Sequence, residues 1–341
     1  KNGKIKKIKE INMPNSLGWY YAAFTEYLGF KAYDGEYKLM GLASYGKKNL
    51  KIKNKLNKIL KIDNVSKEYE LNPKYIHHGK HTYSGRYTDS LINLFGKLPR
   101  KENQIITNWH KDLAFEIQDK LEKAVINLFH KYSNLTGIKN LTIGGGVGLN
   151  VKMNSKLFNS KNCNNIFPNP LCADNGASAG SAMLADFILN KKKPKKLTSL
   201  ALGLDYSEGE IIRVFKSSKI NFVKINNIEK YAAKKLSEGK VIGWFQGRME
   251  AGARALGQRS ILADPRKKNM SKKINQIIKY RETWRPFCPS VIKENVKEYF
   301  KRSYDSKFMT ISFEAKKQIK KIDPAVVHID KSARVQTVTQ S

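Results

Sequence analysis

The sequence NLTIGGGVGLN at residues 140–150 is a short apolar strand that ends in a run of glycines. It follows a segment from His110 to Tyr132 in which Leu113, Ile117 and Leu121 recur at helical spacing, so an amphipathic helix is predicted there. A helix that leads into a strand and then into a glycine turn is typical of an α/β fold. We therefore predict the α/β fold class.

The pattern continues on both sides of a linker. A second helix, rich in alanine and glycine, is predicted at about 175–189. The segment KKKPKKLTS at 191–199 is charged, contains proline and lacks apolar periodicity, so it predicts a boundary between two domains, 1–195 and 196–341. Beyond the linker the α/β alternation continues through IIRVF (211–215), INFVKI (220–225), a predicted helix EKYAAKKL (229–236) and a predicted strand KVIGWFQG (240–247).

The charge of the chain is strongly basic. Its 341 residues include 64 Lys and Arg against 29 Asp and Glu, a formal net charge of +35, which would suit a nucleic-acid-binding protein. Lysine alone contributes 53 of these residues, and Asn and Ile are also abundant, as an AT-rich coding bias would produce. We therefore interpret the lysines as a solvated surface.

Two further counts exclude protein classes. No apolar run reaches the roughly 20 residues needed to cross a bilayer, so we do not expect a membrane-spanning protein. The 3 cysteines are irregularly spaced and fit neither a disulfide framework nor a four-ligand zinc site. That usage favours a reducing compartment, and we expect a cytoplasmic protein.

Two glycine-containing motifs resemble nucleotide-binding loops. The segment GLASYGKK at 41–48 nearly spells a phosphate-binding loop, but Lys48 stands where Ser or Thr should bind Mg²⁺, so we reject that interpretation. The turn at 144–148 lacks the third glycine of a dinucleotide fingerprint. It suits either a phosphate or ribose near bare backbone N–H groups, or simply a tight turn that needs positive φ.

Two polar motifs also have two interpretations. Asp174, followed by Asn175 and Gly176, opens the alanine-rich helix and suits either a helix cap or a metal ligand. The histidines of HHGKH at 77–81 have no carboxylate or cysteine at ligand spacing, so we interpret them as a solvated turn.

The most specific signal is a cluster of arginines in GRMEAGARALGQRSILADPR (247–266) and KYRETWRPF (279–287). A planar guanidinium binds phosphate or carboxylate through two parallel hydrogen bonds, which lysine cannot do. The cluster therefore predicts a phosphate-binding pocket, whereas structural pairing with Glu250 and Glu282 is the alternative. Six of the 11 arginines fall within 38 residues, at positions 248, 254, 259, 266, 281 and 285.

These stretches together resemble the O-carbamoyltransferase family of antibiotic and nodulation-factor biosynthesis, which includes tobramycin- and cephamycin-type enzymes. The resemblance extends along nearly the whole chain. Besides the arginine blocks, the similar segments are SLGWYYAAFTEYLGF (16–30), GEYKLMGLASYG (35–46), DLAFEIQDKLE (112–122), TIGGGVGLN (142–150), DNGASAGSA (174–182) and HIDKSARVQTV (328–338).

The resemblance implies part of an actin-like ATPase-fold domain followed by a small α/β domain that forms carbamoyl adenylate. The second domain would combine carbamoyl phosphate with ATP. The first would pass the carbamoyl group to a hydroxyl of a small acceptor, such as a sugar or an aminoglycoside, assisted by Fe²⁺, and Mg²⁺ is the other metal expected. No membrane or nucleic-acid partner is expected, and a homodimer is left open.

The resemblance also implies roles for particular residues. Phosphate- and ATP-holding positions of the family, which we predict to be catalytic, fall on Arg254, Arg285 and Arg334. The predicted metal ligand is Asp174. Further predicted binding residues are Arg248, Arg281, the nucleotide-side turn residues Gly145, Gly146 and Asn150, and the pair Glu36 and Lys38, whose motif has no assigned role.

The sequence departs from the family pattern at several places. Ala251 and Ala253 replace the usual Phe and Pro of the arginine motif, so the loop of Arg254 is expected to be less rigid. The metal-binding histidine pair would precede Lys1, and a strand that closes the adenylate pocket would follow Ser341, so we expect a fragment. His77, His78 and His81 are in the wrong place to replace that pair.

Two other functions are kept as alternatives. A tRNA threonylcarbamoyl-type transferase is one, because both halves have relatives in that pathway. A basic nucleic-acid-binding protein without catalysis is the other, and its binding would depend strongly on salt.

Overall fold

The computed structural model describes residues 5–77, 85–267, 269–322 and 325–339. The backbone groups into two compact units. The first unit comprises Lys1–Thr142 and Lys152–Phe167, and the second comprises Ile143–Val151 and Pro168–Ser341. The glycine turn therefore groups with the C-terminal part of the chain, and the domain boundary between residues 195 and 196 stays a prediction.

The N-terminal half is mostly helical. A long helix confirms the one predicted from His110 to Tyr132, and it ends where Gly137 takes a left-handed φ of +70° that favours glycine. The described helices here are α1 (Leu17–Tyr27), α2 (Glu36–Leu42), α3 (Leu50–Ile59), α4 (Asp89–Phe95), α5 (Asn108–Thr136) and α6 (Val151–Phe158). The strands are β1 (Leu60–Ile62), β2 (Tyr69–Leu71), β3 (Asn140–Ile143) and β4 (Asn165–Pro168).

The apolar face of α5 packs into the core of the first unit. Leu113, Ile117 and Leu121 are at most 1% exposed, as their helical spacing predicts. From α1, the rings of Phe24 and Tyr27 are also buried, and the Tyr27 ring packs edge-on against Trp109 of α5. Burial of each such side chain stabilises the fold by roughly 1.5–3 kcal/mol, so this contact fixes the helices of the unit.

The C-terminal half combines short helices with short strands. Its first helix confirms the one predicted at 175–189. The described helices are α7 (Asp174–Asn190), α8 (Glu208–Ser217), α9 (Ile228–Ser237), α10 (Met270–Lys273), α11 (Val296–Tyr299) and α12 (Lys317–Ile322). The strands are β5 (Ile242–Phe245), β6 (Arg259–Leu262), β7 (Ser290–Ile292), β8 (Phe313–Glu314), β9 (Ser332–Ala333) and β10 (Gln336–Val338).

The described strands form small two-stranded sheets. β5 runs antiparallel to β6, with Trp244 opposite Ser260. β7 runs parallel to β10, with Val291 opposite Thr337. The structure thus confirms a mixed α/β composition, and the actin-like ATPase fold of the first domain stays a prediction.

One of the four segments that follow the linker, INFVKI, departs from the predicted alternation. IIRVF lies inside α8, because Ser207 and Glu210 form a capping box that starts a helix just before it. INFVKI forms no regular element, and Val223 within it is 80% exposed. A strand needs a neighbour to pair its backbone groups, and this segment has none in the described part of the chain.

Among the described residues, no helix is both long and apolar enough to pass through a bilayer.

Candidate functional site

The glycine turn after β3 presents open backbone. Gly145 has a φ of +83°, which confirms the expected positive φ. The turn closes through a hydrogen bond of 2.8 Å from the Gly148 N–H to the Gly145 carbonyl. A Cβ atom added to Gly144, Gly145 or Gly146 would meet nothing within 4 Å, so the space beside these three residues is open.

The opposite side of the turn is tightly packed. A Cβ atom on Gly148 would lie 2.6 Å from the Sγ of Cys172. That thiol donates a hydrogen bond of 2.6 Å to the Asn169 carbonyl, and burial raises the pKa of Cys172 to about 11. The thiol is therefore uncharged at neutral pH, and Cys172 anchors the turn rather than acting as a nucleophile.

Asp174 lies on the surface at the start of α7. It is the first helical residue and the cap position before it is Ala173, so the helix-cap interpretation is wrong. Within the described residues, no group of three or more His, Cys, Asp or Glu side chains could hold a metal ion. One exposed carboxylate does not fit an iron or magnesium site by itself, and the ligand role of Asp174 stays a prediction.

Glu250 organises the first arginine loop from inside. Its side chain is 8% exposed, and its Oε1 accepts hydrogen bonds from the N–H groups of Leu256 at 2.6 Å and Arg259 at 3.4 Å. Burial opposes ionisation, but these backbone donors, Leu256 foremost, lower the pKa of the carboxyl below its ordinary 4.5. Glu250 therefore binds backbone N–H groups of the loop rather than the arginine side chains that the structural alternative predicts.

Replacing Glu250 with Gln is expected to destabilise the protein in a pH-dependent way. Because the folded pKa is lowered, the stabilisation is complete above the ordinary pKa of 4.5 and is lost as pH falls through the folded value. At pH 7 the loss should be about 1–3 kcal/mol, and it should shrink toward zero in acid. Thermal melting across pH tests this, with exposed Glu229→Gln as control; a difference independent of pH would contradict it.

Arg254 connects the arginine loop with the glycine turn. Its half-buried guanidinium donates from Nη2 to the Leu149 carbonyl at 3.5 Å. The loop can bend toward the turn because Gly252 has a φ of +97°, where a Cβ atom would meet the Pro170 carbonyl oxygen at 3.2 Å. The structure therefore brings together two sequence motifs that are about 100 residues apart.

Three other predicted arginines form an electrostatic cluster. Burial, the positive charge of Arg285 and that of Arg334 lower the pKa of Arg281 to about 10, although Glu282 and Cys288 oppose this. Arg285 lies 3.7 Å from the carboxylate of Glu282. Like charges held together in a partly buried place gain free energy when an anion binds between them.

The cluster is joined to the Arg254 loop through β10 and the core beneath. The Nε of Arg334 contacts the Sγ of Cys288 at 2.9 Å. Two residues further on, the buried Gln336 side chain donates to the Leu256 carbonyl at 2.8 Å. Leu256 and Cys288 pack in the same apolar cluster, so the two parts of the site share one support.

A donor without a partner lies in the second arginine loop. The indole Nε1 of Trp284 is shielded from solvent and has no hydrogen-bond partner among the described residues. A buried indole N–H usually donates a hydrogen bond to an acceptor. This donor is available to an acceptor group that enters beside Arg281 and Arg285.

The remaining arginines of the block have structural contacts. Arg248 donates to the carbonyls of Leu202 and Gly203, and Arg266 binds Asp264 through two hydrogen bonds. Arg259 donates to the carbonyls of residues 246, 247 and 258 and stacks on Phe245. These three guanidinium groups are held by backbone carbonyls and by Asp264 rather than by the predicted partners Glu250 and Glu282, and the binding role predicted for Arg248 stays a prediction beside this backbone contact.

Other predicted residues lie elsewhere. Glu36 and Lys38 belong to α2 in the first unit, where Glu36 accepts from the Tyr33 N–H at 2.9 Å and Lys38 lies over the Phe30 ring. Asn150 is buried at the end of the glycine turn. His77 is described, whereas His78 and His81 lie outside the described residues.

Sequence reasoning missed two supporting residues of the site. Asn275 is fully buried and bonds the second arginine loop, and Gln336 bonds the first. Gln336 lies in the segment HIDKSARVQTV that the resemblance includes, but no pattern distinguishes a buried amide from an exposed one. For Asn275 the only signal is a pair of neighbouring amides between the isoleucines of INQII at 274–278.

The structure is thus that of a mixed α/β protein with two arginine-rich loops in its second unit. Two family models match the sequence: the carbamoyltransferase N-terminus over residues 1–183 and the carbamoyltransferase C-terminus over residues 233–341. The chain therefore belongs to the carbamoyltransferase family, as its motifs indicate.

Similar proteins include two from nodulating bacteria. Nodulation protein NolNO of Sinorhizobium fredii is 33% identical over 346 residues, covering 99% of this chain and 48% of that protein. Nodulation protein NolO of Bradyrhizobium diazoefficiens is 31% identical over 333 residues, covering 96% of this chain and 58% of that protein. The uncharacterized protein sll1178 of Synechocystis is 36% identical over 361 residues, covering 96% of this chain and 58% of that protein. The chain thus spans about half the length of these relatives.

Proposed function

We propose that the protein containing this chain is an ATP-dependent O-carbamoyltransferase. It forms carbamoyl adenylate from carbamoyl phosphate and ATP, and it then transfers the carbamoyl group to a hydroxyl of a small acceptor. Membership of the carbamoyltransferase family supports carbamoyl transfer in general. The observation that supports phosphate-bearing substrates is the grouping of arginines: Arg281 and Arg285 lie on one loop bonded by Asn275, and Arg334 bonds Cys288 just after that loop.

The proposed first half-reaction consumes two phosphate-containing substrates. Carbamoyl phosphate loses inorganic phosphate to water, and the carbamate oxygen then attacks the α-phosphorus of ATP, so that pyrophosphate leaves. Both substrates bring several negative charges into one place, and fixed guanidinium groups stabilise that charge without any proton transfer. Arg285 and Arg334 are the groups that we expect to hold these phosphates, and Arg281 supports them.

The proposed second half-reaction needs the adenylate to meet a hydroxyl. The acceptor oxygen attacks the carbamoyl carbon, its proton leaves to solvent or a base, and AMP departs, which gives a carbamate ester. We expect the guanidinium of Arg254, which bonds the Leu149 carbonyl, to hold the AMP phosphate near the glycine turn. We expect Arg254 to bind the adenylate rather than the acceptor.

The test is a pyrophosphate-release assay on the protein in its natural full length. With ATP present, carbamoyl phosphate is expected to stimulate pyrophosphate release several-fold or more over ATP alone. A hydroxyl acceptor then converts the adenylate to AMP and a carbamate ester, which mass spectrometry detects. Absence of carbamoyl-phosphate-dependent pyrophosphate would overturn the proposal.

The same preparation tests the two alternatives. Threonine with bicarbonate, in place of carbamoyl phosphate, would stimulate pyrophosphate release if the protein were a threonylcarbamoyl-type transferase. For a nucleic-acid-binding protein, titration with duplex DNA or RNA would give a binding constant that falls steeply as the salt concentration rises. The O-carbamoyltransferase proposal expects no stimulation in the first case and only weak binding in the second.

A further inference from the structure

Asn275 lies in the second unit directly after helix α10. Residues Ile274–Ile278 form a π-helical turn there, in which the helix is widened by one residue. Such turns are rare and often lie at functional sites. The Asn275 side chain is 0% exposed, so its amide must find its partners within the protein.

The Asn275 amide binds both ends of the second arginine loop. Its Nδ2 donates to the carbonyls of Arg285 at 3.1 Å and Thr283 at 3.4 Å. Its Oδ1 accepts a hydrogen bond of 2.6 Å from the Nε of Arg281. The Asn275 backbone carbonyl also accepts from the Arg281 N–H at 2.9 Å. One buried residue therefore fixes both the path of the loop and the direction of a guanidinium.

The bond to Nε leaves the outer edge of Arg281 available. Guanidinium binds an anion best through two N–H groups on one edge, and Asn275 occupies only the inner nitrogen. The ring of Phe287, 4.7 Å from the Arg281 Cζ, supports one face of the group. The two terminal nitrogens of Arg281 thus have a fixed direction.

We infer that Asn275 is the positioning residue of the arginine loop, because its amide joins Arg281 Nε to the Thr283 and Arg285 carbonyls and so fixes the direction of the Arg281 guanidinium and the backbone that carries Arg285. This inference rests on the proposed function, since it assumes that the arginines bind carbamoyl phosphate or ATP. Asn275 touches no substrate and acts only through the loop.

The donor and acceptor pattern requires asparagine. Aspartate has nearly the same shape and still accepts from Arg281, but it has no N–H groups for the two carbonyls and would repel them. Alanine removes all three side-chain bonds. Asn275→Asp therefore tests the donors alone, and Asn275→Ala tests the whole amide.

The experiment measures KM for carbamoyl phosphate and kcat for pyrophosphate release in the full-length protein, alongside the melting temperature. Asn275→Asp is expected to raise KM about tenfold or more with a smaller change in kcat, because misdirected arginines lose ground-state phosphate binding. Asn221→Asp, an exposed residue in the same unit, is the matched control and should leave KM unchanged.

A second measurement links the effect to Arg281. When Asn275→Asp is added to Arg281→Lys, KM should rise by less than it does in the wild-type background, because the two residues act as one unit. Equal increases in both backgrounds would show that Asn275 acts by another route and would overturn the inference.

The outcomes separate this inference from the proposed function. A wild-type protein without carbamoyl-phosphate-dependent activity contradicts the proposed function itself. An active wild type with unchanged KM in Asn275→Asp contradicts the inference alone, even if kcat falls, because a merely structural role lowers the active fraction and not the affinity. Failure of both Asn275 variants to fold would also overturn it, since the residue would then serve the fold itself.

Discussion

Replacing Arg254 with lysine is expected to reduce carbamoyl-phosphate-dependent pyrophosphate release by about 10²–10³-fold, although the charge is kept. The guanidinium of Arg254 reaches the Leu149 carbonyl from a loop whose own course is fixed by Glu250 and Gly252. One edge of the guanidinium can bind this carbonyl while the other binds a phosphate oxygen. An ammonium group has no such planar arrangement and cannot hold both partners in fixed directions.

The matched control for Arg254→Lys is Arg213→Lys. Arg213 is an exposed arginine on α8 in the same unit, so the control makes the same chemical change at the surface. Activity and melting temperature are measured together on the full-length protein. If Arg254→Lys keeps wild-type activity, the residue is structural, and the contact with Leu149 only joins the loop to the turn.

The loop of Arg254 lacks the Phe and Pro that the family motif usually has. With Ala251 and Ala253 in those places, the sequence predicts a loop with fewer local restraints. The structure adds restraints that do not depend on these two side chains: the Ala251 N–H binds the Leu200 carbonyl at 2.7 Å, and Glu250 accepts from Leu256. The first bond comes from outside the motif and the second from within it, and both restrain the loop without a ring at position 251 or 253.

Local patterns predicted individual helices and strands well. The helix of Leu113, Ile117 and Leu121 and the strand before the glycine turn follow from apolar spacing within about 30 residues of chain. The segment INFVKI has the same apolar content as a strand but stays irregular. A strand depends on a partner that the sequence does not name, whereas a helix closes its hydrogen bonds within itself.

The sequence indicates which residue types form the candidate site, but it does not indicate which partner each side chain contacts. An excess of arginine in a lysine-rich chain favours bidentate binding, and on this ground Arg254, Arg281 and Arg285 are predicted to bind phosphate. It could not separate them from Arg259 and Arg266, whose guanidinium groups bind carbonyls and a carboxylate of their own neighbourhood. That distinction depends on which backbone oxygens face the side chain, which is decided only by the folded loop.

The two glycines of α7 should respond to alanine in opposite directions. At Gly176 an added Cβ atom would overlap the Leu171 carbonyl oxygen, whereas at Gly180 it would meet nothing within 4 Å. Gly180→Ala is expected to stabilise the protein by about 0.5–1 kcal/mol, because alanine loses less backbone entropy in a helix. Gly176→Ala is expected to destabilise it by about 1–3 kcal/mol or more, since a backbone atom must move.

Gly176→Ala should also lower activity, whereas Gly180→Ala should not. The Leu171 side chain packs on the apolar cluster that contains Leu256, and its Cδ2 lies where a Cβ atom on Gly252 would meet it at 3.3 Å. A shift of Leu171 would therefore displace the residues that support the loop of Arg254, namely Leu256 and Gly252. Melting temperatures and pyrophosphate release of both variants are the measurement. Equal melting temperatures for the two variants would mean that the first turn of α7 yields freely, and that Gly176 does not fix the support of the arginine loop.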